Sequence, residues 1–208
     1  MKPNDPEMQK FAEWQVSQSG RDPDFWDRLS AFEYQTVARV LTKVGLPGSV
    51  LDLGCGLGRA AAHFSRYIPS PPARYFMADS TGEQPTCGWD AKPGFYTDLR
   101  LTERYMHEAG ARDVTLVDLQ TDALDRLSGI DLIMSFLSVG FHYPLEDYLP
   151  RLLRIASPKC VFAFGVRRGR YKAADFQAKF GTVRLTEGTC ESNGERTRED
   201  ILVLAGPR

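Results

Sequence analysis

The segment VLDLGCGLGRAAAHF, residues 50–64, decides how this 208-residue chain is interpreted. Its first four residues predict a short buried strand, in which Asp52 stands two positions before a glycine. A helix is predicted from about Arg59 to Tyr67, and between the two lie three alternating glycines: Gly54, Gly56 and Gly58. Glycines let a ligand approach the main chain where a Cβ would collide, and the start of a helix attracts an anionic group. The segment therefore predicts a ligand site between a strand and a helix.

Outside this segment the chain alternates between predicted strands and helices. Strands are predicted over 74–79, 113–119, 130–136 and 160–166, and helices over 8–16, 22–44, 98–109, 145–156 and 171–180. The last part predicts an antiparallel hairpin made of 183–190, the turn at 192–195 and 200–205. We therefore expect a doubly wound α/β fold with a mainly parallel seven-stranded sheet and a C-terminal antiparallel hairpin. The length fits a single domain, 1–208, with an N-terminal helical cap over 1–46 and an α/β core over 47–208.

The composition excludes several classes of protein. With 42% hydrophobic residues the chain can bury a core, and 26 Lys and Arg against 27 Asp and Glu give no basic excess for a nucleic-acid partner. The N-terminus has no signal-like apolar run, and no stretch is long enough to span a membrane, so we expect a cytoplasmic protein with no membrane partner. The four cysteines form no CxxC pair and are expected to be reduced thiols: Cys55, Cys87, Cys160 and Cys190.

The glycine pattern also separates possible ligands. The dinucleotide motif GxGxxG requires glycine or alanine at position 59, where this chain has Arg59. A P-loop requires a Lys-Ser or Lys-Thr pair after its glycines, and none follows here. A dehydrogenase is thereby disfavoured, and a tight turn without a ligand stays as the structural alternative.

On these residues the chain resembles the class I S-adenosylmethionine-dependent methyltransferases, which implies a Rossmann-like fold. In that family the strand-end acid and the glycine loop hold the amino-acid end of the cofactor. The resemblance assigns this role to Asp52, Gly54, Cys55, Gly56 and Gly58. Loop amides and the helix start would receive the methionine carboxylate, with Asp52 near the ammonium group.

The resemblance extends to the ends of the next strands. Asp79 lies 79 − 58 = 21 residues beyond Gly58, where the family places the acid that binds both ribose hydroxyls. The remaining cofactor contacts that the resemblance implies are Ser80, the adenine-edge residues Asp118, Leu119 and Gln120, and Ser135 after strand four. The implied cofactor is S-adenosylmethionine, with S-adenosylhomocysteine as product.

The acceptor is expected beyond the C-terminal ends of the strands, at the segment SFLSVGFHYPLEDY, residues 135–148. His142 is the predicted general base, with Glu146 and Asp147 as candidates to orient it. Aromatic side chains are predicted to bind the acceptor: Trp89, Phe95, Tyr96, Phe141 and Tyr143. A basic turn at 167–170 offers a site for a phosphate or carboxylate.

Several motifs are absent. Residues 135–138 read Ser-Phe-Leu-Ser rather than the Asn/Asp-Pro-Pro-aromatic motif of DNA amino-methyltransferases, and neither a Pro-Cys nucleophile nor a cluster of strand-end metal-binding acids is present. A small-molecule acceptor and metal-independent chemistry are therefore expected. The pieces DST at 79–81, CGW at 87–89 and GFHYP at 140–144 resemble a bacterial subgroup provisionally described as sugar O-methyltransferases.

The sequence thus predicts methyl transfer to a hydroxyl of a small molecule, with a sugar or sugar nucleotide as the first candidate. Methylation of an amine and a non-catalytic cofactor-binding domain stay open as alternatives. The sequence leaves open whether the chain acts as a monomer or a homodimer.

Overall fold

A seven-stranded sheet organises the computed structural model, which describes residues 3–22, 24–82, 98–121, 123–192 and 194–207. The strands in chain order are β1 (Ser49–Leu53), β2 (Arg74–Asp79), β3 (Val114–Asp118), β4 (Ile130–Ser135), β5 (Ala156–Arg167), β6 (Phe180–Thr186), β7 (Glu191–Ser192), β8 (Glu195–Arg196) and β9 (Glu199–Pro207). The main sheet has the spatial order β3-β2-β1-β4-β5-β9-β6, and β7 and β8 pair separately. Strands β1 to β5 are parallel, whereas β9 pairs antiparallel with β5 and β6.

The helices cover both faces of the sheet. They are α1 (Pro6–Ser19), α2 (Phe25–Val44), α3 (Arg59–Tyr67), α4 (Leu99–Glu108) and α5 (Leu145–Ile155). Apolar residues of α2, α3 and α4 form one core layer, to which Met8 of α1 belongs, and α5 packs in the other layer. In the described part of the chain, no helix has both the length and the apolar character that crossing a membrane requires.

Strand β1 shows why this sequence gives a two-sided sheet. All five of its residues are buried, and successive side chains point to opposite faces: Val50 lies in one core layer, and Leu51 and Leu53 in the other. A strand that is buried on both faces reads as a nearly continuous apolar run, as this one does. Asp52 is the exception, and its burial places a carboxyl group beside the glycine loop that follows.

The predicted fold class is confirmed: the sheet has seven strands, is mainly parallel and ends in the C-terminal antiparallel pair of β6 and β9. The helical character of the N-terminal region and the helix after the glycines also agree with the prediction. The division into a cap over 1–46 and a core over 47–208 within one domain stays a prediction.

One predicted helix is absent, and several boundaries differ from the prediction, among them that of β6 (Phe180–Thr186), predicted over 183–190. The helix predicted over 171–180 is wrong, because the Asp175 carboxylate accepts the N–H of Lys172 at 2.8 Å and closes a single 3-10 turn, Ala173–Asp175. The apolar residues of this segment are buried at intervals of five and four residues rather than along a helical stripe. Helix α2 begins at Phe25 rather than at Asp22, whose carboxylate instead pairs with Arg28. Strand β5 begins at Ala156, before the predicted residue 160.

The small β7–β8 hairpin fastens the start of α2. The N–H of Asp22 donates to Oγ of Ser192 at 2.9 Å, and Nη2 of Arg28 donates to the carbonyl of Glu191 at 2.8 Å. These contacts join residues 170 and 163 positions apart in the chain. The cap helix is therefore held against the C-terminal end of the fold as well as against the sheet.

Candidate functional site

The glycine loop lies between the ends of β1 and β2. Its three glycines adopt left-handed conformations, with φ of 70°, 53° and 83° at Gly54, Gly56 and Gly58, which other residues adopt only with strain. The N–H groups of Gly54 and Cys55 donate to the carbonyl of Ala78 at 2.7 and 3.1 Å, and that of Gly58 donates to Cys55. The sequence predicts that these amides bind the cofactor carboxylate. In the structure they instead attach the loop to β2 and close a turn within the loop.

Two of these glycines have different steric surroundings. A Cβ on Gly54 would overlap with the side chain of Ser138, so this position fixes a close approach of the loop after β4. A Cβ on Gly56 would meet no atom within 4 Å. The loop is therefore closed by protein at its β4 side and open at Gly56, where the main chain is accessible to a ligand.

Asp79 faces the glycine loop from the end of β2. Its Oδ2 accepts the N–H of Gly56 at 2.7 Å, and its Oδ1 accepts the N–H of Ser80 at 2.7 Å. Burial, and to a lesser degree the charge of Asp118, raise the pKa of Asp79 against the effect of these two hydrogen bonds. Each carboxylate oxygen has a second lone pair, so the group can still accept from two hydroxyls.

The predicted adenine-edge residues form a turn beside this point. Asp118 is paired in register with Asp79, and its Oδ1 accepts the N–H of Gln120 at 2.9 Å. The side-chain amide of Gln120 donates to the carbonyl of Thr81 at 2.9 Å, while Leu119 packs against the core layer of α5. The structure thus brings Asp118, Leu119 and Gln120 next to the end of β2.

Asp52 is a buried carboxyl group with one unpaired oxygen. Its side chain interacts with the N–H of Ala61 in the first turn of α3, whereas Oδ2 has no hydrogen-bond partner. Burial, together with the charges of Glu33 and Asp79, raises the pKa of Asp52 to about 7, although Arg59 and Ala61 favour the ionised form. This orphaned oxygen at the base of the glycine loop fits a positively charged ligand group.

Arg59, the first residue of α3, connects the glycine loop to the cap helix α2. Its Nη1 and Nη2 bind the two carboxylate oxygens of Glu33 at 2.7 and 2.8 Å, and Nη1 also contacts Oγ of Ser30 at 2.6 Å. The guanidinium lies 5.6 Å from the ring centroid of Trp26. Glu33 is buried, so removal of either partner would leave a charge without compensation.

A further buried carboxyl group reaches the same place from β9. In the antiparallel pairing of β9 with β5, Glu199 lies opposite Arg167 in register. Its side chain extends over Gly165, where any Cβ would overlap with Oε1. Oε1 accepts the N–H of Leu137 at 3.2 Å, and Oε2 has no hydrogen-bond partner. Burial first, and then the charge of Glu33, raise the pKa of Glu199 well above its usual range. We refer to Glu33, Asp52, Arg59 and Glu199 as the carboxyl cluster.

Two predicted cofactor residues are enclosed within the protein. Ser135 is fully buried; its Oγ donates to the carbonyl of Leu53 at 2.6 Å and accepts the N–H of Val139 at 3.0 Å. It thereby joins the end of β1 to the loop after β4. The thiol of Cys55 is buried, and burial raises its pKa, so it stays protonated and packs as a small apolar group.

His142 lies in a short strap, residues 138–143, between β4 and α5. The N–H groups of Phe141, His142 and Tyr143 all donate to the carbonyl of Ser138, at 3.1, 2.7 and 3.2 Å. The imidazole is half-buried and meets the Phe141 ring edge-on, with centroids 4.9 Å apart. The strap thus holds His142 on the segment that also contributes Ser138 to the glycine loop.

Arg167 fixes one end of this strap. Its Nε donates to the carbonyl of Phe141 at 3.1 Å, and its guanidinium lies 5.3 Å from the Phe141 ring centroid. Tyr143 packs edge-on against Tyr148 of α5. Phe141 and Tyr143 are therefore half-buried aromatic side chains beside His142.

The remaining predicted residues are placed as follows. Trp89, Phe95 and Tyr96 lie outside the described residues, as does Cys87. Oε2 of Glu146 accepts the hydroxyl of Tyr171 at 2.9 Å. Among the residues that the structure describes, no three His, Cys, Asp or Glu side chains are grouped so as to hold a metal ion.

Sequence reasoning missed Glu33 and Glu199. Glu33 carried a signal, because it lies on the apolar stripe of α2 between Leu29 and Val37, where a charged residue requires a buried partner. Glu199 carried none, since its importance depends on the pairing of β9 with β5 and on the missing side chain at Gly165.

No known family's sequence profile matches the chain, and no curated protein matches it in sequence. Solved structures do resemble it. A methyltransferase from Geobacter sulfurreducens superimposes with a TM-score of 0.55 at 17% identity, over 100% of this chain and 92% of that one. A provisionally named O-methyltransferase from Klebsiella pneumoniae gives a TM-score of 0.57 at 14% identity, over 98% and 91%.

A third similar structure is the plantazolicin methyltransferase BpumL in complex with S-adenosylhomocysteine. Its TM-score is 0.54 at 15% identity, over 99% of this chain and 92% of that one. Identities this low bear on the fold alone, which here agrees with the sheet order and the glycine loop after β1. The chain thus has the fold of the class I S-adenosylmethionine-dependent methyltransferases.

Proposed function

We propose that this protein transfers a methyl group from S-adenosylmethionine to a hydroxyl group of a small molecule. The observation that carries the proposal is the carboxylate of Asp79, which is held on the N–H of Gly56 at 2.7 Å while the Cβ direction of Gly56 is open. A nucleoside with a vicinal diol and a charged tail fits an acceptor-rich group placed directly beside an accessible main chain. A plain strand–helix turn requires neither feature.

Each end of the cofactor has a candidate partner. Asp79 would accept the ribose hydroxyls, and Asp118, Leu119 and Gln120 lie next to it for the adenine. The unpaired Oδ2 of Asp52 suits the ammonium group. Because several loop amides are engaged within the protein, we assign the methionine carboxylate to the first N–H groups of α3. When bound, the sulfonium group supplies an activated methyl group whose leaving group is a neutral thioether.

His142 is proposed as the general base. A hydroxyl acceptor must lose its proton on methylation, and an imidazole can take that proton near neutral pH. The strap holds His142 at the C-terminal edge of the sheet, one turn from Ser138, which contacts the glycine loop. Phe141 and Tyr143 would then bind the acceptor, and Trp89, Phe95 and Tyr96 stay as predictions for the same role.

A sugar or sugar nucleotide is the proposed acceptor, and the chemistry is proposed to need no metal ion. The support for O-methylation is the similarity to the provisionally named O-methyltransferase from Klebsiella pneumoniae, together with the half-buried imidazole. Methylation of a small amine is the second candidate, because an amine needs proton removal only if it is bound in its protonated form. We further propose a cytoplasmic protein without a nucleic-acid or membrane partner.

The first test is titration calorimetry of the protein with S-adenosylhomocysteine. Binding at micromolar concentration supports the proposal, and absence of binding at high micromolar concentration contradicts it. Mass spectrometry of products formed from paired alcohol and amine acceptors then separates the two candidates. Tight binding with no product from extracts of the native host would favour the non-catalytic alternative.

A further inference from the structure

The unpaired oxygen of Glu199 calls for an explanation, because a buried carboxyl group normally has a partner for both oxygens. Among the residues that the structure describes, the N–H of Leu137 donates to Oε1 at 3.2 Å, and Oε2 has no partner. Gly165 leaves the space over β5 through which the side chain reaches this point. A side chain that only filled space would not need a carboxyl group at its end.

The position of Glu199 connects it to the glycine loop. The residue that binds Oε1, Leu137, precedes Ser138, whose side chain fills the space in front of Gly54. Leu137 has a φ of 58°, a strained conformation for a leucine, and this turn directs its N–H to Glu199. The carboxyl group of Glu199 is therefore linked to the β4 side of the loop through Leu137 and Ser138.

The charges around Glu199 are not balanced. Glu33 faces it from α2, Arg59 from α3 and Asp200 from β9. The charge of Glu199 also contributes to the raised pKa of the Cys190 thiol. Arg59 is already bound by both oxygens of Glu33. The carboxyl cluster, which also includes Asp52, thus holds three carboxyl groups and one guanidinium, so full ionisation would bury an excess of two negative charges.

The proposed cofactor carries two cationic groups, and this inference rests on that proposed function. Its ammonium group is assigned to Asp52, and its sulfonium lies between the amino-acid end at the loop and the ribose at Asp79. A sulfonium donates no N–H or O–H hydrogen bond, so a carboxylate oxygen without a donor is the kind of group that compensates it. S-adenosylhomocysteine retains the ammonium group but has a neutral sulfur.

We propose that Glu199 distinguishes cofactor from product by charge: it is ionised when the sulfonium form is bound and protonated when the thioether form is bound. The raised pKa of Glu199 agrees with this, since the site without a cation favours the neutral carboxyl. After methyl transfer the sulfonium charge is gone, and Oε2 takes up one proton from solvent. The product then loses an attraction that the cofactor had, and its release is favoured.

The test measures protons exchanged on binding, and it needs no acceptor. S-adenosylmethionine and S-adenosylhomocysteine are titrated into the full chain by calorimetry, at one neutral pH, in two buffers of different ionisation enthalpy. We expect the sulfonium form to release about one proton more than the thioether form. Any proton released by Asp52 is common to both ligands and cancels in the difference.

Glu199→Gln is the central variant, because glutamine has nearly the shape of a protonated glutamate and the fold should be retained. The difference in proton release is expected to vanish, and affinity for S-adenosylmethionine to fall about tenfold relative to S-adenosylhomocysteine. Gly165→Ala is a second variant; it displaces the carboxyl group and should lower the same preference.

Asp200→Asn is the matched control. Asp200 is the next residue of β9, and its Oδ1 is already bound by Nε of Arg168 and the N–H of Gly188 at 3.1 and 3.0 Å. It should keep the difference in proton release. Equal proton release by the two ligands in the wild type, or an unchanged difference in Glu199→Gln, would overturn the inference. If neither ligand binds, it is the proposed function that fails.

Discussion

Asp79 and the carboxyl cluster are two acidic regions beside one glycine loop, and they are stabilised differently. Asp79 has a backbone N–H on each oxygen, at 2.7 Å in both cases. In the carboxyl cluster, Asp52 and Glu199 each keep one oxygen without a partner, although both are buried. The comparison indicates that the carboxylate at the proposed ribose side is already stabilised by the protein, whereas two buried oxygens of the carboxyl cluster are not.

The largest effect is expected from Arg59→Met, which removes the only guanidinium of the carboxyl cluster. Glu33 would be left buried and unpaired, so the free energy of unfolding in urea should fall by up to about 5 kcal/mol. The double variant Arg59→Met, Glu33→Leu should recover most of that loss, because it replaces the ion pair by apolar contact. A single variant as stable as the wild type would show that the cluster is not held by this pair.

A somewhat smaller effect concerns the pH dependence of stability. The pKa of Asp52 is raised from its usual 3.8 to about 7 by burial, so the folded protein favours the protonated form. Its stabilising contribution is complete at acid pH and is lost as the pH rises to about 7, amounting to up to about 4 kcal/mol. Denaturation of the wild type and of Asp52→Asn across this range should show a shallower slope in the variant, because the other buried carboxyl groups still contribute. Parallel curves would contradict the raised pKa.

Asp79→Ala tests the other region. It removes the proposed acceptor of the ribose hydroxyls and the partner of the Gly56 N–H, so affinity for S-adenosylhomocysteine should fall about 30- to 100-fold, or roughly 2–3 kcal/mol. Calorimetry measures the change. Asp113→Asn, at an exposed position before β3, is the matched control and should bind like the wild type. Undiminished binding by Asp79→Ala would remove Asp79 from the site.

The smallest effect is expected at His142, which contributes to neither acidic region. His142→Ala should lower turnover at least about tenfold, equivalent to about 1.4 kcal/mol, while affinity for S-adenosylhomocysteine stays within a few-fold. Turnover is measured with an acceptor identified by product mass spectrometry. His107→Gln is the control, since His107 lies in α4, where its Nδ1 contacts the carbonyl of Ala111. Unchanged turnover in His142→Ala would exclude the base role.

The two regions also differ in how far the sequence predicts them. The glycine loop and Asp79 were predicted because their signals are local: alternating glycines after a buried strand, and an acid at the end of the next strand. The structure has the strand, the left-handed glycines and the following helix where they were predicted, and the binding roles stay predictions. The use of the loop's N–H groups was not predicted, because it depends on the position of Ala78 in the neighbouring strand.

The carboxyl cluster could not be predicted as a unit. It joins α2, β1, α3 and β9, so its members meet only after the cap helix and the last strand have packed on the sheet. The helix predicted over 171–180 was wrong for a related reason: Tyr171, Phe176 and Phe180 are buried by tertiary contacts that no helical period requires. Long-range packing therefore limits the prediction at both places.

The hydrogen bonds between the β7–β8 hairpin and the start of α2 have a consequence for biosynthesis. Asp22 and Arg28 leave the ribosome long before Ser192 and Glu191, with which they form hydrogen bonds. The start of the cap helix therefore cannot form these hydrogen bonds until translation has passed residue 192. A chain that stalls before residue 190 would leave Phe25 and Leu29 of α2 without their contact to Cys190, and it should be a preferred substrate for chaperones and proteases.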